Sequence, residues 1–176
     1  ISVGKLLQLH SSIRQQVLRA WIEREGFQLP DTRKMNAIIH DVLTARWDRS
    51  PCVRWLGAEL RRYRDDLYVL VPSENSVLSE QYHWNMQHEL ALPGAGRLIV
   101  KLAEGEGVAP GIEAVTIDFN YRKKTLYQTH GVPPWERSRA PLMIINGQVV
   151  GIVGYYLDKR FMAKADETGR VITFIM

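Results

Sequence analysis

Apolar residues recur along the chain in two rhythms, and the change of rhythm divides it. Up to Leu43 the period is helical. Lys5 to Leu9 reads as the end of one helix, and His10-Ser11-Ser12 offers a cap for the next. Ile13, Val17, Trp21 and Ile22 then fall on one face, with Arg14, Arg19 and Arg24 elsewhere on the surface. Gly26 is placed to end that helix, because glycine takes the left-handed C′ conformation without steric penalty. Asp31 and Thr32 are acceptable N-caps. Met35, Ile38, Ile39, Val42 and Leu43 complete the i, i+3, i+4, i+7, i+8 set of an amphipathic helix, with His40 and Asp41 off its apolar stripe. Past the turn Asp48 to Pro51 the chain reads as short strands. Val53 to Leu56 leads through Gly57 into Glu59 to Arg64, and after a tight turn at Asp65-Asp66 the run Leu67 to Val71 pairs back. Alternation puts Leu60, Arg62 and Arg64 on one side of that ribbon and Arg61 and Tyr63 on the other.

The second half carries the strand rhythm with one helical interruption. Pro72, Pro93, Gly94 and Gly96 bracket a polar stretch, which predicts a linker over 72–96 in which Tyr82, Trp84 and Met86 alternate as a short extended arm. Arg97 to Leu102 reads as a strand, and Val115, Ile117 and Phe119 alternate with Thr116 and Asp118 as another. Pro141 to Ile145 and Val149 to Tyr155 are apolar strands separated by Asn146-Gly147, the strongest short hairpin signal in the chain. Val171 to Ile175 is a last strand. The expected architecture is α+β. A small helical module with a β-hairpin (1–71) is followed, across the linker, by a small sheet module (97–176) carrying one exposed basic helix.

Charge sharpens this division. The net charge is +4, yet residues 1–71 hold 12 Lys/Arg against 8 Asp/Glu, residues 72–119 hold 2 against 7, and residues 120–176 hold 9 against 4. Two basic modules joined through an acidic middle are an expected footprint of nucleic-acid binding, because Lys and Arg gain affinity by releasing phosphate counterions. The bland alternative is ordinary surface charge. The single cysteine, Cys52, excludes an internal disulfide and a multi-cysteine metal site, fits a reducing compartment, and reads as a buried structural thiol. No apolar run is long enough to span a membrane, and no leader pattern opens the sequence. His83 and His88 lack a second ligand pair for zinc. Gly94-Ala95-Gly96 precedes a strand rather than a helix, which removes a Rossmann reading. No nucleophile elbow or Walker loop is present.

The interruption, Tyr121 to Ile145, concentrates the remaining signals. Arg122, Lys123 and Lys124 open a helical pattern that Gly131 ends. Val132-Pro133-Pro134-Trp135 then fixes the chain, since neither proline can continue a helix. Arg137 and Arg139 follow. Gly131, Pro133, Pro134 and Trp135 read as the anchor of a rigid turn with basic side chains on both sides. The Gly-Val-Pro-Pro-Trp run, then Arg137, then Pro141-Leu142, resembles the C-terminal domain of bacterial tRNA(Ile)-lysidine synthetases. Val17-Leu18-Arg19-Ala20-Trp21-Ile22, Ser50 to Arg54, and Glu59-Leu60-Arg61-Arg62-Tyr63 resemble the substrate-binding domain of the same enzymes, in the family's order. Arg122 and Lys124 match basic positions of the family's helix. Thr125 stands where a second lysine is common, and Lys123 where an apolar residue is common.

The resemblance implies a cytoplasmic ligase that joins lysine to the wobble cytidine of a minor isoleucine tRNA, with ATP and magnesium as cofactors. It implies that this chain holds and checks the tRNA body and takes no cofactor itself. The family's nucleotide-binding pattern, Ser-Gly-Gly-x-Asp-Ser, does not occur among these residues. Arg122, Lys123, Lys124, Arg137 and Arg139 are the RNA contacts expected in the second module, and Arg61, Arg62 and Arg64 in the first. Such contacts position RNA without reading its sequence. No residue here is expected to be catalytic or to hold a metal. The competing reading is a protein-interaction or dimerisation module, in which the turn and the apolar hairpin Leu142 to Tyr155 form an interface and the charge is incidental.

Overall fold

The computed structural model describes residues 1–46, 49–72, 81–93, 96–120 and 124–175. Expectations at Asp48, at 73–80, at Gly94-Ala95 and at Tyr121, Arg122 and Lys123 lie outside these residues. The chain folds as two compact units, Ile1–Glu74 and Asn75–Met176. The described residues form four α-helices and three small antiparallel sheets, the α+β class implied by the two rhythms.

The first unit opens with α1 (Val3–Leu7), α2 (Ser11–Arg24) and α3 (Thr32–Ala37), the last continuing as a π-helical turn over Ile38–Val42. Ser2 caps α1 by accepting from the Lys5 N–H, and Asp31 caps α3 by accepting from the Lys34 N–H at 2.7 Å. Gly26 ends α2 at φ 85, where its N–H reaches the Glu23 carbonyl and the Phe27 N–H reaches that of Ile22. The buried face of α2 is Leu18, Trp21 and Ile22, while Ile13 is 49% exposed. The expected stripe is therefore rotated. The cause is Arg14, which lies one turn before Leu18 and lays its guanidinium across the end of α1, donating to the carbonyls of Leu6, Leu7 and Leu9 at 2.9–3.0 Å.

Three antiparallel strands cover these helices in the order β1 (Cys52–Trp55), β2 (Ala58–Tyr63) and β3 (Asp66–Leu70). Val53, Leu60 and Leu67 join Met35, Ile38, Val42 and Leu43 in one core. The β2–β3 turn is centred on Arg64 and Asp65, one residue earlier than the sequence suggests, with Arg64 at φ 56. Asp65 fixes that position. Its carboxylate accepts from Ser2 Oγ at 2.6 Å and from the Gly4 N–H at 2.8 Å, tying the turn to the start of α1. These bonds hold its pKa below the usual carboxylate value. Cys52 is exposed, not buried, because it points to the outer face of the sheet while Val53 takes the inner one.

In the second unit, part of the expected linker is strand. β4 (Gln81–Trp84) and β5 (Leu90–Leu92) belong to the sheets, and Trp84, Met86 and Leu92 are buried in the core. The alternating apolar positions decide this, since burying them outweighs the polar residues between them. β6 (Gly96–Glu104) pairs with β5 and with β11 (Thr168–Ile175) in a three-stranded sheet. The five-stranded sheet runs β10 (Tyr156–Leu157), β9 (Gln148–Ile152), β8 (Leu142–Ile145), β7 (Val115–Asp118), β4. Asn146 and Gly147 make the β8–β9 turn at φ 49 and 75, and Ile145 pairs with Gln148 across it. The expected strand Val149 to Tyr155 is split, because a turn through Gly154 (φ 79) folds β10 back on β9. Leu142, Met143, Val150, Ile152 and Val153 are buried within the unit itself, so the hairpin's apolar side chains already have partners. On the free side of β11 the loop around Val108 closes in, and Val108 and Arg170 exchange two backbone hydrogen bonds of 2.9 Å. Gly107 permits this approach, since a Cβ there would lie 2.4 Å from the Arg170 carbonyl.

Candidate nucleic-acid interface

The basic helix α4 (Lys124–Thr129) is ended as the sequence predicts. Gly131 takes φ 74, its N–H approaches the Gln128 carbonyl, and the Val132 N–H bonds that of Tyr127 at 2.9 Å. This is a Schellman closure, and Val132 supplies its apolar contact. Val132 is fully buried in a small cluster with Tyr127, Ala140, Leu142 and Ile152. The Tyr127 hydroxyl donates to the Ala140 carbonyl at 2.9 Å, joining helix and turn across 13 residues. His130 stacks on Tyr156 of β10 at a ring separation of 3.7 Å. The anchor is therefore Val132 and Pro133, both buried. Pro134 is exposed, and Trp135 is only half-buried.

Around this anchor the predicted contacts differ in posture. Lys124 is exposed on α4, while Arg122 and Lys123 lie outside the described residues. Arg137 and Arg139 are half-buried on the turn, and Arg137 Nε donates to the Val132 carbonyl at 3.1 Å, which holds its guanidinium to the turn. Glu136 accepts from the Tyr155 hydroxyl.

The arginines of the first unit separate by strand alternation. Arg62 points inward. Its Nη1 lies 2.7 Å from the Leu43 carbonyl and 3.0 Å from that of Ala45, and its Nε donates to the Arg64 carbonyl. It thus satisfies carbonyls that the π-turn leaves open. Arg61 points outward and grips Glu59 with two bonds of 2.6 and 3.1 Å. Arg54, paired across from Glu59 in the register, donates Nε to the same carboxylate at 2.8 Å. Glu59 is only 4% exposed. Burial pushes its pKa up, but the bonds from Arg61 and Arg54 outweigh this and hold it below the usual carboxylate value. Arg64 is exposed at the turn, over the Tyr63 ring at 5.3 Å.

Two family models match the chain. One, described as the TilS substrate binding domain, covers residues 1–68. The other, described as the TilS substrate C-terminal domain, covers residues 121–173. The chain belongs to the TilS family. Its relatives include the tRNA(Ile)-lysidine synthase of Coxiella burnetii, 32% identical over 96% of this chain, and that of Edwardsiella ictaluri, 30% identical over 96%. The enzyme of the same name from Methylococcus capsulatus is 29% identical over 94%. The chain spans 41–42% of the length of these relatives. Neither family model covers 69–120, yet that stretch supplies β4 to β7 to the sheets into which the C-terminal TilS segment folds.

In this TilS chain, the described residues contain no cluster of His, Cys, Asp and Glu able to hold a metal ion, and no helix long and apolar enough to cross a membrane. Sequence reasoning missed Arg54 and Glu59. Their signal lay in pairing rather than spacing: only the register of β1 on β2 brings Arg54 and Arg61 to one carboxylate.

Proposed function

We propose that this chain is the tRNA-holding part of a tRNA(Ile)-lysidine synthetase. It grips the tRNA body so that the anticodon reaches an active site elsewhere in the protein, where lysine is joined to the wobble cytidine with ATP and magnesium, in the cytoplasm. The observation that carries this reading is the presence, in one chain and in family order, of both TilS substrate domains. The geometry supports it through the exposed Lys124 at the start of α4, whose other end is closed by a glycine and a Val132-plugged turn. Arg122, Lys123, Lys124, Arg137 and Arg139 contact acceptor-stem phosphates, and Arg61 and Arg64 contribute from the first unit. Arg62 serves the fold instead. The buried apolar side of the Leu142 to Tyr155 hairpin leaves the dimerisation reading without its main surface.

The test is binding of the chain to a minor isoleucine tRNA and to a non-cognate tRNA across a salt series. Affinity that falls steeply with salt, and falls further when Arg122 and Lys124 become Ala, supports the reading. Absence of binding at low salt overturns it.

A further inference from the structure

The outer face of the three-stranded sheet holds a charged cluster of which Arg61 alone is among the expected contacts. Cys52, Arg54, Glu59, Arg61, Tyr63 and Tyr68 share that face by alternation and register. Glu59 lies at its middle, its carboxylate accepting from Arg61 Nε on Oε1 and from Arg61 Nη2, Arg54 Nε and the Cys52 thiol on Oε2. A carboxylate 4% exposed on the outward face of a sheet is buried by the arginines that cover it. The two guanidinia differ in what remains. Arg61 turns its Nε edge onto Glu59 and its side chain is 22% exposed. Arg54 gives Glu59 its Nε alone, and its side chain is 64% exposed. Apart from the neighbouring Cys52 thiol, a weak acceptor, the Nη groups of Arg54 meet no oxygen acceptor among the described residues. Its position is nonetheless fixed at the base by a buried charge.

A guanidinium held at Nε, with its Nη donors facing no stronger acceptor than a thiol, presents a planar, pre-oriented fork. That fork matches two oxygens of a phosphodiester, and ordering it in advance lowers the entropy cost of each bond formed. Tyr63 and Tyr68 lie on the same face of the sheet. We propose that Arg54 is a backbone-phosphate contact of the bound RNA and that Glu59 is its positioning residue. This rests on the tRNA-holding function above, and adds a contact in the first unit at a residue outside the Arg61 to Arg64 run.

The experiment measures binding of the whole chain to an isoleucine tRNA transcript over a salt series, for wild type, Arg54→Ala, Arg54→Lys and Glu59→Gln. Circular dichroism confirms folding for each. Arg54→Ala is expected to weaken binding about tenfold at low salt and to lower the slope of log K against log salt by about one. Arg54→Lys is expected to keep the slope, because the charge stays, and to lose part of the affinity with the fork. Glu59→Gln is expected to keep the slope and lose affinity, and to cause no further loss in the Arg54→Ala background. A purely structural role would leave the salt slope of Arg54→Ala at the wild-type value. An unchanged slope and affinity in Arg54→Ala, with wild type binding normally, overturns the Arg54 contact alone. Failure of wild type to bind overturns the tRNA-holding function with it.

Discussion

Two ways of ending a helix meet in this molecule, and the first unit, whose α2 closes on Gly26, uses both. In the first unit, α1 and the π-turn after α3 end on arginines brought from elsewhere: Arg14 reaches back from α2, and Arg62 reaches across 17 to 20 residues from β2. In the second unit, α4 ends on its own glycine. Both solutions satisfy the carbonyls that a helix terminus leaves open. They differ in what they take from the surface. An arginine used as a cap is removed from the set that can meet a phosphate, whereas a glycine cap leaves every cation nearby where it was. Counting charge therefore overstates the basic surface of the first unit more than that of the second.

The comparison can be broken by removing each cap in turn. Arg62→Ala leaves the Leu43 and Ala45 carbonyls without their charged donor and is expected to destabilise the first unit by about 1.5–3 kcal/mol, read by urea denaturation. If stability is unchanged, the capping role is wrong and Arg62 returns to the list of RNA contacts. Gly131→Ala forces a side chain into the left-handed region and is expected to cost about 1–2 kcal/mol in the second unit. The same measurement, followed by a probe near Trp135, checks it.

Acid sharpens the contrast further. Glu59 has its folded pKa held below 4.5, so its contribution to the first unit is fully present above that value and is lost as pH falls through the folded value. Asp158 is held down to about 2 by the Arg160 side chain and backbone N–H. Its contribution to the second unit is present above 3.8 and is lost only as pH approaches 2. An acid titration with separate probes in the two units, and Glu59→Gln as control, is expected to show a Glu59-dependent decline that the variant lacks. The smallest effect on stability belongs to Lys124→Ala, within about 0.5 kcal/mol because the side chain is exposed and packs no core. That variant is expected to lower the salt slope of tRNA binding by about one, which would separate a binding residue from a capping one.

What could be read from the sequence follows the same line. The Gly26 and Gly131 closures, the Asp31 cap and the Asn146-Gly147 turn are local, each decided within a few residues, and each appears where the pattern puts it. Arg62, Arg14 and Glu59 act across strands or between helices, and no spacing rule reports on them. Part of the expected linker is strand for a related reason. Tyr82, Trp84 and Met86 already alternate as a strand does, but the β7 partners of Tyr82 and Trp84, Ile117 and Val115, are far along the chain, and the prolines and glycines nearby spoke louder. Among the expected contacts, the two-sided alternation of Arg61 and Arg62 was visible, while the direction of the core was not. Only packing shows that Arg62 is the one turned inward.

The loop around Val108 bears on the solution behaviour of the protein. β11 is eight residues long and lies at the rim of its sheet, where an open row of N–H and C=O groups invites a strand from another molecule. The Val108 loop occupies part of that row at Arg170, and it can do so only because Gly107 has no side chain. Gly107 thereby lets the chain cover part of its own sheet edge, and a substitution there is expected to leave that part open to edge-to-edge pairing.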